Sequence, residues 1–418
     1  METPRDSRSC ADDGESTGKR RALVIGGSMS GLLAAIMLQR RGWIVDVFER
    51  VESELSGRGA GIVAQGELIA RLEALGLDTR DLGVLARTRK LLEADGRVSL
   101  TVECPQVLTA WERVYRVLRD AFPPAHYHRG RALVAFEQTG SSVLARFGDG
   151  GTAEADVLIG ADGLRSTIRG QCIPEVAPLY AGYCAWRALL PESAIPPEIH
   201  RELFESMAFC LPPGEQCLLY PVAGPNDDLR AGHRRCNVVW YRPADETCEL
   251  PWLLTDESGV IHSISIPPPL IRREATAAMR AAAQRLLPPQ FRAIVARIDE
   301  PILQPIYDLE SPRLAFGRVA IVGDAAFVAR PHVAAGVSKA ADDAATLAHA
   351  LDGEDVESAL RQFEAERLPV GRKIIERARH LGAYLQASQS AEERARSARH
   401  SIPEAVLAET AVLDFLRA

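Results

Sequence analysis

What the 418-residue chain lacks narrows its class before any motif is found. Its eight cysteines form no C-x-x-C pair and no Cys/His cluster at zinc spacing, so no metal site is expected and the thiols read as reduced, in a cytoplasmic protein. No segment reaches the uninterrupted apolar run of about 18 residues that a membrane helix needs. No long basic run occurs, and 49 Lys plus Arg against 56 Asp plus Glu leave a net charge of −7, which argues against nucleic acid as a partner. Residues 1–20 have no apolar core of a targeting signal and read as a disordered leader. No internal repeat or low-complexity tract stands out. What remains, 47% hydrophobic and 25% charged residues, is ordinary globular usage in a chain longer than the roughly 250–300 residues at which single cores stop growing. Two domains, or one interrupted by another, are expected.

The first ordered segment begins at Arg21. Ala22-Leu23-Val24-Ile25 is a short apolar run of the buried parallel type, Gly26-Gly27-Ser28-Met29-Ser30-Gly31 is a glycine-rich loop, Leu32–Arg41 reads as a helix, and Trp43–Phe48 resumes as a strand ending at Glu49-Arg50. This βαβ unit suits one half of a dinucleotide: the helix N-terminus offers N–H groups to a pyrophosphate and Glu49 offers a carboxylate to ribose hydroxyls. Ser28 replaces the middle glycine of G-x-G-x-x-G; Gly27 beside it keeps the turn open, and the hydroxyl can itself donate to phosphate. A plain glycine turn in an α/β protein is the alternative.

Two further loops follow apolar strands. Asp156–Ile159 runs into Gly160-Ala161-Asp162-Gly163, where the aspartate reads either as a helix cap or, at the carboxyl end of a strand, as part of a ligand site. Arg318–Val322 runs into Gly323-Asp324, then Phe327, Arg330-Pro331-His332 and Gly336, before a helix over Val337–Leu351.

These three loops, in this order, resemble the class A FAD-dependent aromatic monooxygenases, the group with the para-hydroxybenzoate hydroxylase fold. Phe327 where most of that family has His, Pro331-His-Val-Ala-Ala-Gly336 in place of P-x-x-G-x-G, and the Tyr180–Arg187 segment are similar to the 2,6-dihydroxypyridine 3-hydroxylase branch. The resemblance implies an α/β architecture: a Rossmann-like FAD-binding domain over 21–178 and 303–352, an inserted β-sheet substrate domain over 179–302 and C-terminal helices over 353–418. It implies FAD as cofactor, NADH or NADPH as reductant, O2 capture as the C4a-hydroperoxide, and hydroxylation of a small hydroxylated aromatic or pyridine-like ring. Gly26, Ser28, Met29, Ser30, Gly31, Glu49, Arg50, Asp162, Gly163, Asp324, Pro331 and Gly336 would then hold the flavin, with Arg58 and Arg116 carried over by position and a solvated arginine as the plain alternative for each. His332 is the candidate base, against a histidine satisfied by a backbone carbonyl, and Tyr183, Trp186, Tyr220 and Tyr241 are candidate pocket walls, against ordinary core aromatics.

Charge-laced C-terminal helices read as solvated faces and also leave room for a homodimer. The absence of W-x-W-x-I-P argues against flavin halogenation. A flavin reductase or dehydrogenase, and a flavin-bearing redox sensor without turnover, stay open on the residues alone.

Overall fold

A computed structural model describes residues 19–55, 61–353 and 355–417. The expected leader lies outside the described residues apart from Lys19 and Arg20, and so does Arg58.

The nucleotide layer is a six-stranded sheet with the order Ala315–Phe316, Val319–Ile321, Val157–Gly160, Arg21–Ile25, Ile44–Phe48 and Tyr127–His128. Its central strands run parallel, as strands with near-continuous apolar sequence do when helices cover both faces. Register matters more than order here. Ile25 pairs with Gly160, and Gly160 pairs with Ile321, so three strands hundreds of residues apart end at one level and release their loops side by side. Helices Met29–Arg40 and Gly336–Ala350 pack against each other over this sheet, within a single apolar core. A small antiparallel meander, Leu133–Gln138, Val143–Phe147 and Thr152–Ala155, carries the chain back to strand Val157–Gly160.

The covering layer is a nine-stranded sheet. Its centre comes from Leu179–Pro191, Ser206–Cys210, Gln216–Val222 and Arg235–Pro243, joined by Ile302–Glu310 and Phe327–Val328. It also takes in Gly61–Ala64, Val84–Leu92 and Val98–Ala110, which the division by motif leaves with the nucleotide layer. The reason is a long-range pairing: Ser206–Cys210 lies parallel to Val84–Leu92, with Ser206 opposite Thr88 and Cys210 opposite Leu92. Alternation then gives the sheet two faces. Trp186, Trp240 and Cys217 pack with helices Arg273–Leu286 and Pro289–Val295 on the outer face, while Tyr183, Leu218, Tyr220 and Tyr241 belong to the inner one. After the 27-residue helix Val356–Gly382, short helices Ala391–Ala398 and Pro403–Glu409 bring the chain end back to the inner face, where Leu407 is fully buried in the same apolar cluster as Tyr220. No helix among the described residues is long and apolar enough to cross a membrane.

Candidate active site

The three aligned loops touch. Gly26 has φ of 106°, and a Cβ on it would lie 2.3 Å from the Ala161 carbonyl oxygen. Gly323 has φ of 60°, and a Cβ there would lie 2.1 Å from Ser30 Oγ. Each conformation favours glycine on backbone grounds, and each closeness excludes a side chain on steric grounds, so the first loop meets both others because neither contact point carries one.

A cavity of about 410 Å³ opens along this seam between Glu49, Arg50, Ala161, Asp162 and Gly163. Glu49 is buried; one carboxylate oxygen accepts the Gly27 N–H at 2.8 Å and the other the Val51 N–H at 2.9 Å, which fixes the acid against the glycine turn. Ser28 caps helix Met29–Arg40 without a side-chain cap bond, so among the described residues its hydroxyl is free of the backbone where the helix N-terminus concentrates positive potential. Asp162 Oδ2 accepts the Thr167 and Ile168 N–H groups at 2.7 and 3.3 Å, while its Oδ1 is buried with no partner among the described residues. Ser166 is the cap residue of helix Thr167–Cys172, and Asp162 satisfies the next free N–H groups while keeping one oxygen unsatisfied.

A second cavity, about 350 Å³, shares Ser28 and Trp111 with the first and continues under the large sheet. Met29, Ser30, Asp324, Pro331 and Gly336 line its near side. Asp324 is open to this cavity, deep between the layers; that depth raises its pKa, which Lys339 pulls back and Asp343 pushes further up. Lys339 is held by the Gly323 carbonyl at 2.8 Å and by Asp343 at 3.3 Å, and Arg367 binds the other Asp343 oxygen at 2.8 Å. Burial works against the Asp343 carboxylate, but these two cations outweigh it and hold its pKa below the usual range. The paired cavities, the unsatisfied Asp162 oxygen and the uncommitted cap of Ser28 fit a flavin dinucleotide lying from Glu49 to Asp324.

The far side of the second cavity comes from the inner face of the sheet: Arg187, Leu218, Tyr220, Val239 and Tyr241, with His332 opposite. Arg187 donates to the Gln304 side-chain oxygen at 3.0 Å and the Gly61 carbonyl at 2.9 Å, both neutral, and no carboxylate pairs with it among the described residues. The other cations of the wall are neutralised, Arg330 by Asp308 at 2.8 Å and Lys339 by Asp343. Burial pushes the Tyr220 phenol up to about 12, with the Arg187 charge opposing, so it stays protonated.

His332 is buried, and burial with the nearby Arg330 charge lowers its pKa to about 3, so the ring is neutral at physiological pH. Its Nε2 lies 2.8 Å from the Tyr183 hydroxyl. That phenol, fully buried and with its pKa raised well above the ordinary value, has His332 Nε2 as its one hydrogen-bond partner among the described residues. A buried hydroxyl must give its proton to an acceptor, so Tyr183 donates, Nε2 accepts, and the single ring proton resides on Nδ1.

The structure redistributes several expected site residues. Gly31 is buried at the start of its helix, its hydrogen lying against the Gly26 carbonyl. Tyr183 stands behind His332 rather than on the cavity surface, and Trp186 is on the opposite face, beside a separate cavity of about 210 Å³ with Trp252 and Met279. Two residues three apart on one strand cannot share a face. Arg116 lines neither cavity; it is held at 2.8 Å by Asp227 and at 2.9 Å by Glu112. Arg187 and Thr410 line the second cavity and were not expected there. Alternation from Tyr183 points to Arg187; no local signal points to Thr410.

A family model described as FAD binding domain matches residues 19–176 and 292–378, and one described as FAD binding domain-like matches 180–308. The chain is 33% identical to a 2,6-dihydroxypyridine 3-monooxygenase of Paenarthrobacter nicotinovorans, over 89% of this chain and 93% of the relative. It is 32% identical to a 3-amino-4-hydroxybenzoate 2-monooxygenase of Streptomyces cremeus, over 86% of each. The solved structure of 2,6-dihydroxypyridine-3-hydroxylase from Arthrobacter nicotinovorans superposes with a TM-score of 0.84 at 32% identity, over 90% of this chain and 95% of that one.

Proposed function

Because the chain belongs to the FAD-binding family of aromatic-ring monooxygenases, we propose that it hydroxylates a small hydroxylated N-heteroaromatic of the hydroxypyridine class, bound as its anion between Arg187 and His332. The observation that carries this reading is the half-buried Arg187 cation in the cavity wall, with no carboxylate partner among the described residues. A cation without a carboxylate partner in a low-dielectric wall favours an anionic ligand far more than one in bulk water does. Ionisation of a ring hydroxyl also raises electron density on the ring carbons, which is what attack by an electrophilic oxygen requires. FAD held by Glu49, Ser28, Asp162 and Asp324, with NADH or NADPH as reductant, would supply the chemistry that delivers one atom of O2 to the ring and the other to water.

The chain's own residues then have separable tasks. Glu49, Ser28, Asp162 and Asp324 bind the cofactor along the loop seam. Arg187 selects and holds the ionised ring oxygen. Tyr220 and Tyr241 supply flat apolar walls with protonated phenols, and the covering sheet excludes water from the reacting face. His332 acts as a hydrogen-bond donor through Nδ1, and not as the base that removes the ring proton, because an imidazole whose conjugate acid has a pKa near 3 holds a proton poorly at neutral pH. The ring therefore enters already ionised, or loses its proton to solvent on the way in.

Purified protein with its flavin spectrum, NADH or NADPH, and a panel of mono- and dihydroxypyridines beside hydroxybenzoates provides the test. Hydroxypyridines are expected to stimulate nucleotide and O2 consumption and to yield a ring carrying one more hydroxyl. Stimulation by hydroxybenzoates alone, or consumption without an oxygenated product, would overturn the substrate class.

A further inference from the structure

We propose that the C-terminal strap is part of the substrate site, with Thr410 a specificity-determining residue that gives the bound ring a further polar contact. This rests on the reading of the Arg187–His332 cavity as the place of the ring.

Helix Pro403–Glu409 ends at Thr410, and Ala411 takes φ of 57°, in the left-handed region. For a residue with a Cβ that conformation is strained and persists where the surroundings over-determine it. Three hydrogen bonds do so. The Ala411 N–H donates to the His332 carbonyl at 2.7 Å, and the Ala411 carbonyl accepts from Gln65 Nε2 at 2.9 Å and Gln106 Nε2 at 2.8 Å. Gln65 caps helix Gly66–Ala74, Gln106 belongs to strand Val98–Ala110, and His332 belongs to the loop before helix Gly336–Ala350. One residue thus ties together three elements around the cavity. Arg89, fully buried in strand Val84–Leu92, reinforces it by donating to both the Leu407 carbonyl and the Gln106 side-chain oxygen. Further along, Leu413 packs with Val333 and Ala335, and Arg417 pairs with Glu67 at 2.8 Å.

The strap is therefore a fixed wall. Thr410 and Ala411 line the cavity, and the Thr410 hydroxyl makes no hydrogen bond among the described residues while remaining open rather than sealed in protein. A hydroxyl both donates and accepts, so it can meet either a ring nitrogen or a second exocyclic oxygen. Arg187, His332 and Thr410 would then engage a flat ring from three widely separated segments, and the ring's orientation decides which carbon reacts.

Thr410→Val keeps the shape and removes the hydroxyl. In FAD-loaded full-length protein it is expected to raise KM for the preferred hydroxypyridine, or to lower the ratio of product formed to nucleotide oxidised, by about tenfold, ~1.4 kcal/mol, with Thr410→Ser restoring both to within about twofold. A chain ending at Glu409 is expected to keep FAD but to let iodide quench the flavin fluorescence more strongly, since the wall is gone. Thr410→Val matching the wild type in both KM and coupling would overturn the role of Thr410. If no ring is turned over by the wild type, the substrate proposal fails by itself, and the strap is judged by iodide: equal quenching in full-length and shortened chains would refute it.

Discussion

Acidification from pH 7 to pH 5 should destabilise the protein by about 2 kcal/mol through His332 alone. Burial, and secondarily the Arg330 charge, lowers this imidazole from 6.5 to about 3. Between those values the unfolded chain binds a proton that the folded chain does not, so stability rises with pH across that window. The contribution is fully present above pH 6.5 and is lost progressively as pH falls toward 3. At pH 5 the unfolded imidazole is about 1.5 pH units below its pKa, and at about 1.36 kcal/mol per unit this gives ~2 kcal/mol. With an unfolding entropy of about 2.1 cal/mol/K per residue, 418 residues convert this to a Tm shift of about 2 °C. The assay compares thermal unfolding at saturating FAD, at pH 7 and pH 5, in the wild type and in His332→Asn, whose side chain hydrogen-bonds without titrating. The wild type should lose about 2 °C more than the variant over that interval. Equal losses would show that His332 is not held neutral by its surroundings, and the assignment of Nδ1 as a donor would fall with it. Consistently, hydroxylation should show no ionisation near pH 6.5 that His332→Asn abolishes.

Arg187→Gln keeps hydrogen-bonding capacity and removes the charge; KM for the ionised ring should rise by about 10- to 100-fold, as expected for a charge-assisted hydrogen bond, and a change under twofold would refute its role. Asp324→Ala should lower the flavin retained per protein chain after gel filtration, whereas undiminished flavin content would remove Asp324 from the cofactor site. Trp186→Phe, on the outer face, should lower Tm by a few degrees through lost packing at a cost of about 1–3 kcal/mol while leaving KM unchanged; a KM effect matching that of a cavity residue would contradict the two-faced sheet. Ala334→Gly should raise stability by up to about 1 kcal/mol, because Ala334 adopts φ of 49° and glycine occupies that region without the steric cost; destabilisation in urea titration would count against strain there.

The nucleotide half was legible because its information is local. Each of the three loops is announced by an apolar strand before it and small residues within it, and Glu49 follows from the length of a single βαβ unit. The register that sets Ile25, Gly160 and Ile321 at one level is not local, yet it could be inferred because three loops of one kind imply one ligand. The substrate half was legible only in part. Tyr220 and Tyr241 line the cavity, but Tyr183 and Trp186 were placed by residue type, when the period of two along one strand separates them and puts Arg187 on the cavity side. Gly61–Ala64 and Val84–Leu92 each pair with nearby Val98–Ala110, and nothing local marks the sheet these three join, since the one pairing that ties them to it, Val84–Leu92 with Ser206–Cys210, is made far along the chain.

The remaining misses have a common physical origin. Among the described residues, the four non-glycine residues with positive φ are Asn226, Asp227, Ala334 and Ala411. Asn226 and Asp227 form the turn that presents the Asp227 carboxylate to Arg113 and Arg116, which holds Arg116 off both cavities although the family resemblance implied a place near the flavin. Ala334 occupies the first glycine position of the P-x-x-G-x-G pattern and keeps a left-handed backbone there without being glycine. Ala411 is pinned by the His332 carbonyl, Gln65 and Gln106, and brings Thr410 to the cavity. For the two alanines the residue type argues against the left-handed backbone that the tertiary contacts impose, whereas Asn226 and Asp227 suit that region and what the local sequence hides there is the distant arginine partner. Local reading fails where long-range contacts overrule local preference, and such conflicts gather at functional sites. Two of the four, Ala334 and Ala411, line the cavity with His332, so the chemistry of this wall depends on the C-terminal segment reaching His332, Gln65 and Gln106 from far along the chain.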